Sequence, residues 1–209
     1  MVDFEAAANR TVLVNVDMQN AFVEGYEISA PDGLIVQERI NRISAACRKA
    51  GIPVIHTRHV LRPDGSNVGL LGEFYPPLKH GLLAFGSESA ELHPGLVVGP
   101  KDIILDKPRF GSFHGTDLEL ILRSQGYDTI IVTGIATNVC CETTAREANV
   151  REFRVFFLSD ATATRGIGDL THADIQRATC ATLGFLFAEV LTTDEMLKKI
   201  DAACIPKTA

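Results

Sequence analysis

Apolar positions along this chain come as short runs that alternate with stretches of helical period. Residues 13–16 read as a fully buried strand. Val36, Ile40, Ile43, Cys47 and Ala50 then recur at helical spacing, Gly51 stops that helix, and residues 53–57 read as the next strand. Together they form a βαβ unit. Ile103-Ile104-Leu105 is a further apolar run. Thr116 with Glu119 has the capping-box pattern ahead of Leu118, Ile121 and Leu122, and Gly126 closes that helix before a strand at 129–133. A helix over 138–149, a strand over 154–158, a helix over 171–183 and a last strand over 185–190 follow. Thr192 with Glu195 caps a short terminal helix.

Strands that are apolar throughout, alternating with helices, predict a parallel sheet covered on both faces. The expected fold is α/β: a three-layer α/β/α, Rossmann-like, doubly wound sheet in one domain over 1–209. Between about His59 and Lys101 the periodicity fails, and a stretch that long inside a domain reads as a functional loop or lid. Glu73, Phe74, Tyr75, His80 and Phe85 lie in it.

Composition narrows the class. A chain of 209 residues that is 46% hydrophobic can bury a sizeable core without staples. The formal charge is −6 and Lys/Arg runs do not exceed two residues, which argues against a nucleic-acid surface and for a small-molecule partner. Five cysteines with no charged, then apolar, opening segment predict a reduced, cytoplasmic protein. No apolar stretch approaches the ~20 residues that span a bilayer.

The chemistry collects at the ends of three apolar runs. Asp17 follows the first, in Asp17-Met18-Gln19-Asn20-Ala21-Phe22. Lys107 follows another, in Asp106-Lys107-Pro108-Arg109-Phe110-Gly111-Ser112-Phe113. Cys140 follows a third, in the segment from Gly134 to Ala148 that opens a helix. The carboxyl ends of neighbouring parallel strands border one crevice, so the three side chains are expected to meet. A cysteine at a helix N-terminus gains from free backbone N–H groups and the positive end of the dipole. Each residue also has an ordinary reading: a packed thiol, a turn acid, a solvated lysine. Their joint placement outweighs it. Cys141 points about 100° away from Cys140 on the same turn and reads as packing. Cys47, Cys180 and Cys204 read as core or surface residues.

In these segments, spread from about residue 12 to residue 165, the chain resembles the isochorismatase-like cysteine hydrolases, which include nicotinamidases and the N-carbamoylsarcosine, biuret and ureidoacrylate amidohydrolases. The resemblance implies about six strands and a homodimer or homotetramer. It also implies a Cys-Asp-Lys triad, with Cys140 as nucleophile, Asp17 as proton shuttle and Lys107 holding the pair and lowering the thiol pKa. Backbone N–H groups of Ala136, Thr137 and Cys140 would form the oxyanion hole, beside a cis peptide at Ala136–Thr137.

The reaction expected is hydrolysis of an amide or ureido C–N bond through a thioester, with no cofactor. The nicotinamidase metal pattern, Asp-x-His with a later His, is missing from Thr57-Arg58-His59-Val60-Leu61, so His56, His59, His80 and His114 are not expected to hold a metal. Gln19 and Asn20 are expected to bond a planar amide, Phe22, Phe110 and Phe113 to wall the pocket, and Arg109 to pair with a carboxylate. Two other classes stand beside this one. A vinyl-ether hydrolase of the isochorismatase type would not use a nucleophilic cysteine, and a non-catalytic domain of the same fold would need none of the three groups.

Overall fold

The computed structural model describes residues 2–203; the expectation for Cys204 falls outside them. Its strands are β1 (Thr11–Val16), β2 (Val54–His59), β3 (Ile103–Lys107), β4 (Thr129–Ile135), β5 (Arg154–Ala163) and β6 (Glu189–Leu191). Its helices are α1 (Asn20–Val23), α2 (Gly33–Lys49), α3 (Leu71–Phe74), α4 (Leu118–Ser124), α5 (Glu142–Asn149), α6 (His172–Leu186) and α7 (Thr193–Ala203). The six strands pair in parallel in the order β3-β2-β1-β4-β5-β6. The chain winds outward from β1 to β3, then restarts beside β1 with β4. The switch between β1 and β4 is where such sheets open a crevice.

Side chains along a strand alternate between faces, so the central strands feed two cores. Leu13, Ile131, Ile135, Phe156 and Leu158 pack with Val36, Ile40 and Ile43 of α2 and with Met196 and Ile200 of α7. Val12, Val14, Val16, Ile130, Val132 and Phe157 pack with α4, α5 and α6 through Leu118, Leu122, Ala145, Ala148 and Leu183. This is the expected three-layer arrangement. Among the described residues no helix is long and apolar enough to cross a membrane.

Three local expectations are corrected. The last strand does not begin at Phe185: α6 runs on to Leu186, leaving Phe185 and Leu186 exposed, and β6 starts at Glu189. An apolar run at a helix end looks like a strand by composition alone. The capping box at Thr116 does not form. Thr116 Oγ1 accepts from Leu118 N and donates to the Ser112 carbonyl, while Glu119 pairs with Arg151 and Arg123. The reciprocal box is found instead at Thr171 and Asp174, opening α6. Thr192 and Glu195 do cap α7. The aperiodic 59–101 stretch is ordered by short helical turns, and Leu61, Val68, Leu78 and Leu83 form a small apolar cluster of their own with Ala21.

Candidate active site

Asp17 leaves β1 with a left-handed backbone (φ 52°) and is fully buried. Thr57, on the neighbouring β2, donates its hydroxyl to Asp17 Oδ1 at 2.7 Å. Lys107 ends β3, is 1% exposed, and sets its Nζ 2.7 Å from Asp17 Oδ2. The turn after β3 folds back over the ammonium, which also donates to the carbonyls of Arg109 and Phe110, each at 2.9 Å. Burial alone would discharge a lysine. Here the Asp17 carboxylate, by charge and by hydrogen bond, outweighs it and holds Lys107 above its ordinary pKa.

Cys140 arrives from β4. Gly134 pairs with Val16 so closely that a Cβ there would lie 1.9 Å from the Val16 carbonyl oxygen, and the sheet register shifts at this point. The chain then crosses a cis peptide between Ile135 and Ala136, one bond earlier than expected, and enters a π-helical turn, Thr137–Cys141, that continues into α5. Cys140 is 4% exposed. Its carbonyl accepts the Thr144 hydroxyl at 2.7 Å, and Thr144 in turn meets Ser112 of the β3–α4 loop, locking the cysteine turn to the lysine turn.

One expectation about Cys140 is reversed. Burial pushes its thiol up to about 12; Lys107 and the Ala136 backbone N–H pull the other way, and Asp17 adds to the rise. Cys140 therefore rests as a thiol, with the Asp17 carboxylate beside it. Cys141 is fully buried and gives its thiol to the Thr133 carbonyl at 3.7 Å, on the side away from the crevice.

A fourth group stands with these three. His59 ends β2, just as Asp17 and Lys107 adjoin the ends of their strands, and ligand-capable atoms of Asp17, His59 and Cys140 lie within 4.8 Å of one another. Among the described residues this is the one place where three such groups converge. It is a poor cation site: the Asp17 charge is already matched by Lys107, and an ammonium beside a dication is unfavourable. His59 escaped the sequence reading because β2 was expected to end at Thr57, which put it in the lid and left it weighed only as a metal ligand.

The remaining candidates separate. Phe22, Phe110, Ala136 and Cys140 line a cavity of about 780 Å³ at the carboxyl edge of the sheet, together with His59, Asn138, Val139 and lid residues from Leu71 to Leu83. The Thr137 hydroxyl is turned away to Gln176 of α6. Gln19 is not free for substrate: fully buried, it accepts from the His59 N–H and donates to the His59 and Ala90 carbonyls. Asn20 donates to the Glu88 carbonyl. Arg109 is spent on the carbonyls of Asn67 and Pro108, and Phe113 packs against Phe153 in the core. Gln19, Asn20 and Arg109 thus hold loops in place by answering backbone groups. Another hollow, between α2 and α7, holds no nucleophile.

An isochorismatase domain model matches residues 11–195 of the chain. The chain belongs to the isochorismatase family. Among family members it is 38% identical over 180 residues to the ureidoacrylate amidohydrolase RutB of Methylorubrum extorquens, covering 76% of this chain and 72% of that protein. It is 34% identical over 191 residues to nicotinamidase 3 of Arabidopsis thaliana, covering 90% and 87%. The crystal structure of a cysteine hydrolase from Pseudomonas syringae pv. phaseolicola 1448A superposes with a TM-score of 0.92 at 37% identity, covering 97% of each chain. Isochorismatase-family similarity thus extends over the whole sheet and every strand end described above.

Proposed function

We propose that this protein hydrolyses a non-peptide C–N bond, amide or ureido, of a small molecule, with Cys140 as nucleophile. The observation that supports the reading is the convergence of a buried thiol, a buried carboxylate and a buried ammonium beside one cavity. The similarity to amidohydrolases supports the same class.

The steps follow from the positions. As the Cys140 sulfur bonds the carbonyl carbon, its proton passes to Asp17 and the C=O electron pair moves onto oxygen. Backbone N–H groups of Ala136, Thr137 and Cys140 receive that oxyanion; removal of one such donor typically costs ~10²–10³ in turnover. The adduct collapses, the C–N bond breaks, and the nitrogen takes the proton from Asp17 and leaves as ammonia or an amine. Water then adds to the thioester, giving its proton through Asp17 to the departing sulfur and releasing the acid. Lys107 keeps Asp17 in place and neutralises it in a medium where a lone charge would be expensive.

The vinyl-ether alternative leaves Cys140 without a task, and a non-catalytic domain leaves all three groups so. Ammonia release across a panel of small amides and ureido compounds decides among them: turnover is expected, and is expected to vanish in Cys140→Ala. Hydrolysis of isochorismate with no amide turned over would overturn the reading.

A further inference from the structure

His59 faces the same cavity with a buried polar atom that nothing in the protein satisfies. It is 3% exposed, and its Nε2 has no hydrogen-bond partner. Everything else about it is fixed. Gln19 takes its backbone N–H at 2.7 Å and reaches its carbonyl at 3.1 Å, the Phe110 ring stands edge-on at 6.0 Å, and the ring bonds the Pro108 carbonyl. With the hydrogen on Nδ1 given to Pro108, Nε2 carries only a lone pair and is an acceptor. Burial and the Lys107 charge bring the ring down to about 4, so it stays neutral and keeps that role across the physiological range. An unsatisfied buried acceptor costs ~1–3 kcal/mol, a cost that a ligand N–H removes.

Beyond this edge the cavity is apolar, walled by Phe22, Ile28, Leu71, Leu78, Leu83 and Val139. Arg165 also lines the cavity and donates to the Glu27 carbonyl, whereas Arg109 stands outside the lining and donates to the carbonyls of Asn67 and Pro108.

We propose that the site takes a primary carboxamide or N-carbamoyl group borne on an apolar body, with His59 accepting one N–H of the terminal NH₂. The inference rests on the C–N hydrolase reading above. One N–H held by His59 leaves the nitrogen lone pair of the tetrahedral adduct free to turn to Asp17, which by then carries the thiol proton. An ester oxygen in the same place sets its lone pairs against Nε2, so His59 is a substrate-positioning residue that selects nitrogen over oxygen.

The test uses matched pairs, a primary amide and the methyl ester of the same acyl group, with the acyl chain lengthened stepwise and one member ending in a carboxylate. In the unaltered enzyme each added methylene raises kcat/KM by up to about fourfold until the cavity fills, and the terminal carboxylate cancels the gain. In His59→Leu the amide-to-ester ratio of kcat/KM falls about 10–100-fold, while His59→Asn, which keeps an acceptor, retains part of it. A merely structural role would lower both substrates alike and leave the ratio unmoved. An unchanged ratio in folded His59→Leu, or in His59→Ala should the leucine variant not fold, overturns the proposal, as does a preference for the carboxylate-bearing member. If amides turn over only with Cys140 present yet ignore His59, the C–N hydrolase reading stands and this inference alone fails; if no amide turns over, both fall.

Discussion

Cys140 and Cys141 adjoin on one helical turn, yet one borders the cavity and the other gives its thiol to Thr133 under the sheet. Cys140→Ala is expected to abolish ammonia release and Cys141→Ala to leave most of it; equal loss with intact circular dichroism would contradict the assignment. Lys107→Ala leaves Asp17 as an unpaired buried charge, for which ~3–5 kcal/mol of stability is the usual loss, so its denaturant midpoint should drop along with activity. Arg109 was expected to read a substrate carboxylate. Its bonds to two backbone carbonyls make it a clasp on the lysine turn, and Arg109→Ala should now slow neutral and anionic substrates by similar factors in kcat/KM. The acid, the lysine and the cysteine could be found from sequence because each adjoins the end of an apolar run. Gln19 and Arg109 could not be assigned that way, since a polar side chain beside a catalytic one serves substrate or backbone with equal ease until the fold says which groups lie opposite.

At the scale of elements, the alternation of buried strands and amphipathic helices made the fold legible, because the central strands β1 and β4 are buried throughout and mostly apolar. The boundaries failed where two rules compete. Phe185 belongs to an apolar run but sits on an uninterrupted helix, and Glu119, the return arm of the expected box at Thr116, is drawn off by Arg123 and Arg151. Gly134 is the element-level position whose identity is least negotiable. Its φ of 121° and its closeness to Val16 mean that Gly134→Ala must push β4 away from β1. A loss of at least about 3 kcal/mol is expected from strain and overpacking together, measured by urea unfolding. At the opposite end of the scale, Thr171→Ala removes the α6 cap and should cost only about 1 kcal/mol.

For the whole molecule, buried titratable groups set the pH range of stability. His59 titrates at about 4 in the fold and at ~6.5 in the unfolded chain, so the unfolded state binds the extra proton between them. Stability should therefore be full above pH ~6.5 and fall by about 3 kcal/mol as pH drops toward 4, with buried His56, also held low by desolvation, adding to the loss. On the alkaline side Cys47 and Cys140 stay protonated up to about 12, whereas unfolded thiols ionise near ~8.5, so stability declines again as pH rises past that value. Urea midpoints across pH 4–10 would show the plateau, and the acid limb should be shallower in His59→Leu. Dialysis against a strong chelator should leave turnover unchanged, because Lys107 already answers the one carboxylate among the converging groups; loss on chelation with recovery on added zinc would contradict this. The proton that burial keeps on Cys140 has a consequence for durability. Peroxide attacks thiolates, and thiols hardly at all, so Cys140 should outlast oxidant exposures that silence cysteines kept ionised at rest. Peroxide inactivation should be slow at neutral pH and quicken about tenfold with each pH unit, as the thiolate fraction does, and a rapid, pH-independent loss would show that the sulfur is not stored in its protected form.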